Sequence, residues 1–195
     1  MKTDKNKKNE RKPAFVFYLL DSLFYLIYNV IMVILGIDPG LATMGFGVIE
    51  SEKGNSKVVD YGVVLTPKTE SLPVRLALLE EGVKKLAEKY KPDEIALEEL
   101  FFNNNITTGI NVAQARGVIL LTCVKSCGRL YEYTPLQIKQ ALTGYGRADK
   151  HQMQMMVKTF LRLEKIPRPD DAADALAVAL THAQTNRLRS PFSIK

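Results

Sequence analysis

The stretch Ile31-Met32-Val33-Ile34-Leu35-Gly36-Ile37 contains no polar side chain, is rich in β-branched residues and runs straight into Asp38-Pro39-Gly40. A short apolar run closed by a Pro-Gly turn reads as a buried strand, and an aspartate at its end sits where the core gives way to solvent. This reading also decides what precedes it. Phe15 to Leu35 is almost wholly apolar, long enough to suggest a membrane anchor over residues 13–35, and a basic stretch comes before it. The same residues cannot be both a core strand and a lipid-facing helix, and no small-residue cleavage site supports a signal peptide. The strand reading therefore puts residues 1–31 outside the domain as an extension (a mis-called start would explain it), with the domain at 32–185 and a tail at 186–195. A cytoplasmic protein is expected.

Further strands are expected at Gly45–Ile49 and Val58–Leu65, joined by a polar turn at residues 53–56, making a three-stranded antiparallel meander with Val33–Asp38. Leu72, Leu76, Leu79, Val83 and Leu86 recur at helical spacing, so a helix is expected from Leu72 to Tyr90, ended by Lys91-Pro92. Then come a short strand Glu94–Glu98, a helix Ile106–Cys127 stopped by Gly128, a strand Leu130–Tyr133 and a helix opened by Pro135 and running to Leu142. A helix capped by Asp149 is expected to reach Leu163, and a last helix to run from Asp171 to about Gln184. This order implies an α/β fold with a mixed five-stranded sheet and helices packed on both faces.

The chain has 195 residues, 46% hydrophobic and 25% charged, which excludes disorder and allows a sizeable core. Two cysteines and two histidines exclude a disulfide framework and make a poor zinc cage. Cys123 and Cys127 read as buried thiols, and Met153, Met155 and Met156 as helix core and interface. His151 and His182 read as surface or structural groups. The net charge of +6 favours a polyanionic partner. Half of that excess lies in residues 1–31, with six basic and three acidic side chains, so a nucleic-acid surface on the domain must come from local clustering.

Four carboxylates stand out. Asp38 ends the apolar strand and Glu98 ends Ile95-Ala96-Leu97. Asp171 and Asp174 share a helix face at i, i+3. Taken singly, each has a bland role as turn, strand-end or helix-capping residue. Asp174, however, is embedded in Ala172-Ala173-Asp174-Ala175-Leu176-Ala177, and a buried carboxylate there needs a partner. Acids from strand ends and a helix converging on one sheet edge would suit a hard divalent cation with oxygen ligands, Mg²⁺ or Mn²⁺ rather than zinc.

Leu35-Gly36-Ile37-Asp38-Pro39-Gly40, Ile95-Ala96-Leu97-Glu98-Glu99-Leu100-Phe101, Ala113-Gln114-Ala115-Arg116-Gly117 and Asp171-Ala172-Ala173-Asp174-Ala175-Leu176-Ala177 together resemble the motifs of the RuvC Holliday-junction resolvases, in the family's order and from about Met32 to Gln184. The resemblance implies a ribonuclease H-like fold, a homodimer, and Mg²⁺-dependent symmetrical nicking of four-way DNA junctions. It also implies work alongside the RuvA–RuvB branch-migration complex. It carries the catalytic and metal-binding role to Asp38, Glu98, Asp171 and Asp174, a junction-contacting aromatic to Phe101, and two functional lysines to Lys139 and Lys150. The extension 1–31 and the acidic doublet Asp170-Asp171 depart from the family pattern; the spacing to Asp174 favours Asp171 as the ligand.

In such a site two metals about 3.5–4 Å apart supply the activated water, the leaving-group stabilisation and the charge neutralisation that phosphodiester hydrolysis needs. The expected products carry a 5′-phosphate and a 3′-hydroxyl, and no nucleotide cofactor is expected. DNA contacts are expected from Arg75, Asn103 to Asn105, Lys139, Arg147 and Lys150, mostly to phosphates. Three rival readings are an actin-like ATPase, for which the chain is too short, a non-catalytic junction-binding module, and a ribonuclease H-like enzyme acting on RNA.

Overall fold

The computed structural model describes residues 31–52, 54–99 and 106–186. The expectations placed on residues 1–30, on Phe101, Phe102, Asn103, Asn104 and Asn105, and on the tail after residue 186 lie outside the described residues. Five strands form one sheet, β1 (Met32–Asp38), β2 (Thr43–Glu52), β3 (Asn55–Leu65), β4 (Glu94–Glu98) and β5 (Leu130–Tyr133), in the order β3-β2-β1-β4-β5. The first three make an antiparallel meander, while β4 lies parallel to β1 and β5 parallel to β4, so the sheet is mixed as expected.

Five helices complete the described fold: α1 (Leu72–Tyr90), α2 (Ile106–Ser126), α3 (Pro135–Thr143), α4 (Lys150–Phe160) and α5 (Asp170–Asn186). The starts of α3 and α4 are set by reciprocal capping boxes, Thr134 with Gln137 and Asp149 with Gln152. A left-handed residue ends α1 at Lys91 and α3 at Gly144. Expected boundaries move at one helix end and along the β2–β3 hairpin. The fourth helix stops at Phe160 rather than Leu163, because Arg162 takes a left-handed φ of 52° and turns the chain while Leu161 stays buried. The second strand runs from Thr43 to Glu52 rather than from Gly45 to Ile49, and the third starts at Asn55 rather than Val58, because their polar ends continue to pair with each other.

Alternation along β1 divides the core. Leu35 and Ile37 pack with Val48, Leu79, Val83, Ile95, Leu97 and Ile119 under α1 and α2. Ile34 packs with Ile49, Ala96, Leu176, Ala179 and Leu180 under α3, α4 and α5. Side chains two apart on a strand share a face. Gly36 and Asp38 therefore follow Ile34 onto the α5 side, and Glu94 and Glu98 follow Ala96 onto the same side. Burial of both sheet faces is why β1 and β4 read as unbroken apolar runs. Among the described residues no helix is long and apolar enough to cross a membrane.

Candidate active site

Asp38 closes β1 and Glu98 closes β4. Because these strands are parallel and in register through Ile37 opposite Leu97, the two carboxyl groups leave adjacent strand ends in the same direction. The other two acids arrive on α5. That helix lies close to the sheet at the strand glycines: a Cβ at Gly36 would overlap the carbonyl oxygen of Ala175, and one at Gly45 would overlap that of Asp171. Gly45 is the ladder partner of Asp38. The close approach therefore lays the first turn of α5 beside the end of β1, and with it Asp171 and Asp174.

The electrostatics record this convergence. Burial, together with Glu98, Asp174 and Asp171 nearby, raises the Asp38 pKa to about 8. Burial and Asp174 raise that of Glu98 to about 7, against an opposing pull from Lys139. Asp174 is also raised, by burial first, with Lys150 pulling the other way. Three acids that resist ionisation in one place form an arrangement stabilised by an added cation. The donors are all carboxylates, with no imidazole or thiolate among them, and that set fits a hard divalent ion. Among the described residues no three acids already stand as a ready-made cage for an ion.

Lys150, at the start of α4, is 3.0 Å from Asp170 and 3.6 Å from Asp174. Asp170 also accepts from Gln154 Nε2 at 3.0 Å and pairs with Arg168. These cations hold the Asp170 carboxyl below its usual range, whereas Asp38 feels Asp171 and not Asp170. Asp170 thus pairs with groups of α4 and with Arg168, while Asp171 adds to the negative charge around Asp38. Lys139 on α3 is near enough to Glu98 to favour its ionised form. Arg147 is exposed in the α3–α4 loop. Arg75 donates through Nε to Thr66 Oγ1 at 2.9 Å, and Thr66 donates to the Leu41 carbonyl, so Arg75 braces the turn that follows Asp38. Phe101 and Asn105 lie outside the described residues.

Sequence reasoning passed over Glu94, which is buried and 2.6 Å from His182 Nε2, with Tyr133 on the other ring nitrogen. Its alternation with Ala96 was the available signal. His182 is buried and structural, Cys123 is buried as expected while Cys127 is only partly so, and His151 is exposed.

The family model described as crossover junction endodeoxyribonuclease RuvC matches residues 34–182. A relative from Clostridioides difficile (strain 630) with that name is 54% identical over 157 residues, covering 80% of this chain and 93% of the relative. The structure of Thermus thermophilus RuvC superposes with a TM-score of 0.77 at 36% identity, over 84% of this chain and all of that one. The structure of T. thermophilus RuvC in complex with a Holliday junction substrate superposes with a TM-score of 0.79 at 34% identity, over 84% of this chain and 99% of that one.

Proposed function

The chain belongs to the RuvC family of crossover junction endodeoxyribonucleases, with that family's ribonuclease H-like fold, and from this premise we propose that Asp38, Glu98, Asp171 and Asp174 are its catalytic, metal-holding residues. The activity is metal-dependent hydrolysis of DNA at four-way junctions by paired symmetrical nicks, leaving 5′-phosphate and 3′-hydroxyl ends. One observation carries the assignment: the carboxyls of two parallel strand ends and of the first turns of α5 raise the pKa of Asp38 together.

Mg²⁺ is the metal of this reading, with Mn²⁺ able to replace it and two ions per site. When bound, such ions neutralise the phosphoryl charge and lower the pKa of attacking water. The protein's part is to present ionised carboxylates from a rigid sheet edge and to hold cations beside them. Lys150, shared between Asp170 and Asp174, brings a positive charge to the point where a scissile phosphate would sit. Lys139 does the same beside Glu98. Arg147, Asn105 and Arg75 position phosphates, and Phe101 stacks at the crossover.

Resolution needs two matching cuts, which a two-fold dimer supplies. Support comes from α2, where Ile110, Leu121 and Val124 are more than half exposed and Gly117 has open space at its Cβ position, an apolar helix face suited to a second copy. The catalytic unit is residues 32–185, with residues 1–31 and 186–195 outside it, in a cytoplasmic enzyme that works with the RuvA–RuvB branch-migration complex. A chain beginning at Met32 should fold and cut like the full-length protein.

The test is cleavage of a four-way DNA junction, a linear duplex and an RNA–DNA hybrid, each with and without Mg²⁺ and without ATP. Paired nicks in the junction alone, abolished by chelation, support the reading. Preference for the hybrid, or a need for ATP, removes it.

A further inference from the structure

His182 lies near the C-terminal end of α5 and is 1% exposed, yet both of its ring nitrogens have partners. Nε2 is 2.6 Å from Glu94 Oε2 and Nδ1 is 2.6 Å from the Tyr133 hydroxyl. Glu94 is itself 6% exposed, and its other oxygen accepts from Tyr131 at 3.2 Å. The Tyr131 ring lies 4.4 Å from the imidazole, between centroids. This group buries an acid, an imidazole and the Tyr133 phenol, with the half-buried Tyr131 at its side, and the hydrolysis derived above uses none of them.

Its position explains it. β4 carries Glu94 at its first residue and Glu98 at its last, on one face. α5 carries Asp174 near its start and His182 eight residues on. Four strand residues span ~13 Å and eight helical residues ~12 Å. The two elements are therefore matched in length, tied at one end by Glu94 and His182 and bringing Glu98 near Asp174 at the other. Tyr133, the second partner of His182, is the ladder neighbour of Glu98. The Gly–Ala surface between α5 and β1 sets how closely the helix approaches, and Ile34 packs there with Leu176, Ala179 and Leu180; such apolar contacts are non-directional, whereas hydrogen bonds with defined partners restrict the position of the helix along its axis. The polar tie fixes that coordinate.

We propose that the buried Glu94–His182–Tyr133 group is a positioning device that fixes the axial register of α5 on the sheet and so sets where Asp171 and Asp174 meet Glu98 and Asp38. The inference rests on the reading of those acids as the metal site. These are positioning residues, acting through α5 and not on the DNA. Like charges meet at the far end of the clamp, so loosening the tie lets α5 shift away from the strand ends, and metal affinity falls before the fold does.

The experiment is calorimetric titration of Mn²⁺ into the full-length protein and the variants Glu94→Gln, His182→Leu, His182→Gln, Asp174→Asn and Leu79→Ala, with melting temperatures measured alongside. Leu79 lies in the core on the opposite face of the sheet and serves as a stability control. Glu94→Gln and His182→Leu should each weaken Mn²⁺ binding at least five-fold. His182→Gln, which retains a donor, should weaken it less, and Leu79→Ala should bind like the parent despite its lower melting temperature. If His182→Leu does not fold, Glu94→Gln and His182→Gln decide. Parent-like affinity in the folded tie variants, or equal weakening in Leu79→Ala, overturns the clamp while loss in Asp174→Asn leaves the site standing. Parent-like affinity in Asp174→Asn overturns the site and the clamp with it.

Discussion

Gly45 of β2 lies directly beneath Asp171 of α5: a Cβ at Gly45 would overlap the Asp171 carbonyl group, and Gly45 is also the ladder partner of Asp38. One missing side chain thus brings two acids from opposite ends of the chain together. The obstacle is backbone, which cannot rotate aside as a side chain can. Gly45→Ala should lift the first turn of α5, costing about 3 kcal/mol of stability and, through misplaced carboxylates, roughly 100-fold in nicking rate. Junction affinity should change far less. Thermal melts and single-turnover nicking measure both, and a parent-like rate would show that the approach does not set the site.

Asp38→Asn, Glu98→Gln, Asp171→Asn and Asp174→Asn should each lower nicking by roughly 100- to 1,000-fold or more, the scale of losing one charge-stabilising group. Junction binding should survive, since removing negative charge near phosphates does not weaken it. Asp170→Asn is the informative contrast. Its carboxylate is held by Lys150, Gln154 and Arg168, so nicking should stay within about ten-fold of the parent. The reverse pattern for Asp170 and Asp171 would exchange their roles.

Much of this was legible in the chain because the relevant signals are local. β1 and β4 are buried on both faces, so each is an apolar run with its acid at the end. α1 has the bounds its leucine spacing and Lys91-Pro92 give. Signals failed where the determinant lay elsewhere. Apolar spacing continues through Leu161 and Leu163, but the helix ends when Arg162 turns left-handed. Thr43, Ser51 and Glu52 carry no hydrophobic pattern and become strand because β3, and at Ser51 also β1, pairs with them. Glu94 and His182 are 88 residues apart, and nothing near either names the other. The Asp170–Asp171 ambiguity needed α4, whose Lys150 and Gln154 claim the first of the pair.

Asp38 and Glu98 make stability depend on pH. Their pKa values are raised to about 8 and about 7, so the metal-free folded state keeps protons that the unfolded chain releases near pH 4. The stabilisation this gives is complete below the unfolded carboxylate range and is lost as pH rises through 7 and then 8. In chelator, the protein should melt at lower temperature at pH 9 than at pH 6. Asp38→Asn should remove much of that slope, gaining on the order of 2 kcal/mol over the parent at pH 9 and nothing near pH 4. Metal binding displaces the same protons, so Mg²⁺ affinity should rise from pH 6 to 9. A flat difference between parent and variant would contradict the raised pKa values.

Phe101 should serve junction distortion and not hydrolysis. It follows Glu98 by three residues, and stacking on an unpaired base contributes roughly 1–3 kcal/mol. Phe101→Ala should cut intact junctions poorly and recover on junctions with unpaired bases at the crossover, whereas Phe101→Trp should keep much of the activity. Equal slowing of the alanine variant on both substrates would give the ring a different role.

The assignment of the four carboxylates is tested most directly by locating the metal. Crystals soaked in Mn²⁺ should give anomalous difference peaks within ligating distance of Asp38, Glu98, Asp171 and Asp174, absent when Asp174 is replaced by asparagine. Peaks held by other side chains, or none at these four at Mn²⁺ concentrations that support nicking, would contradict the account.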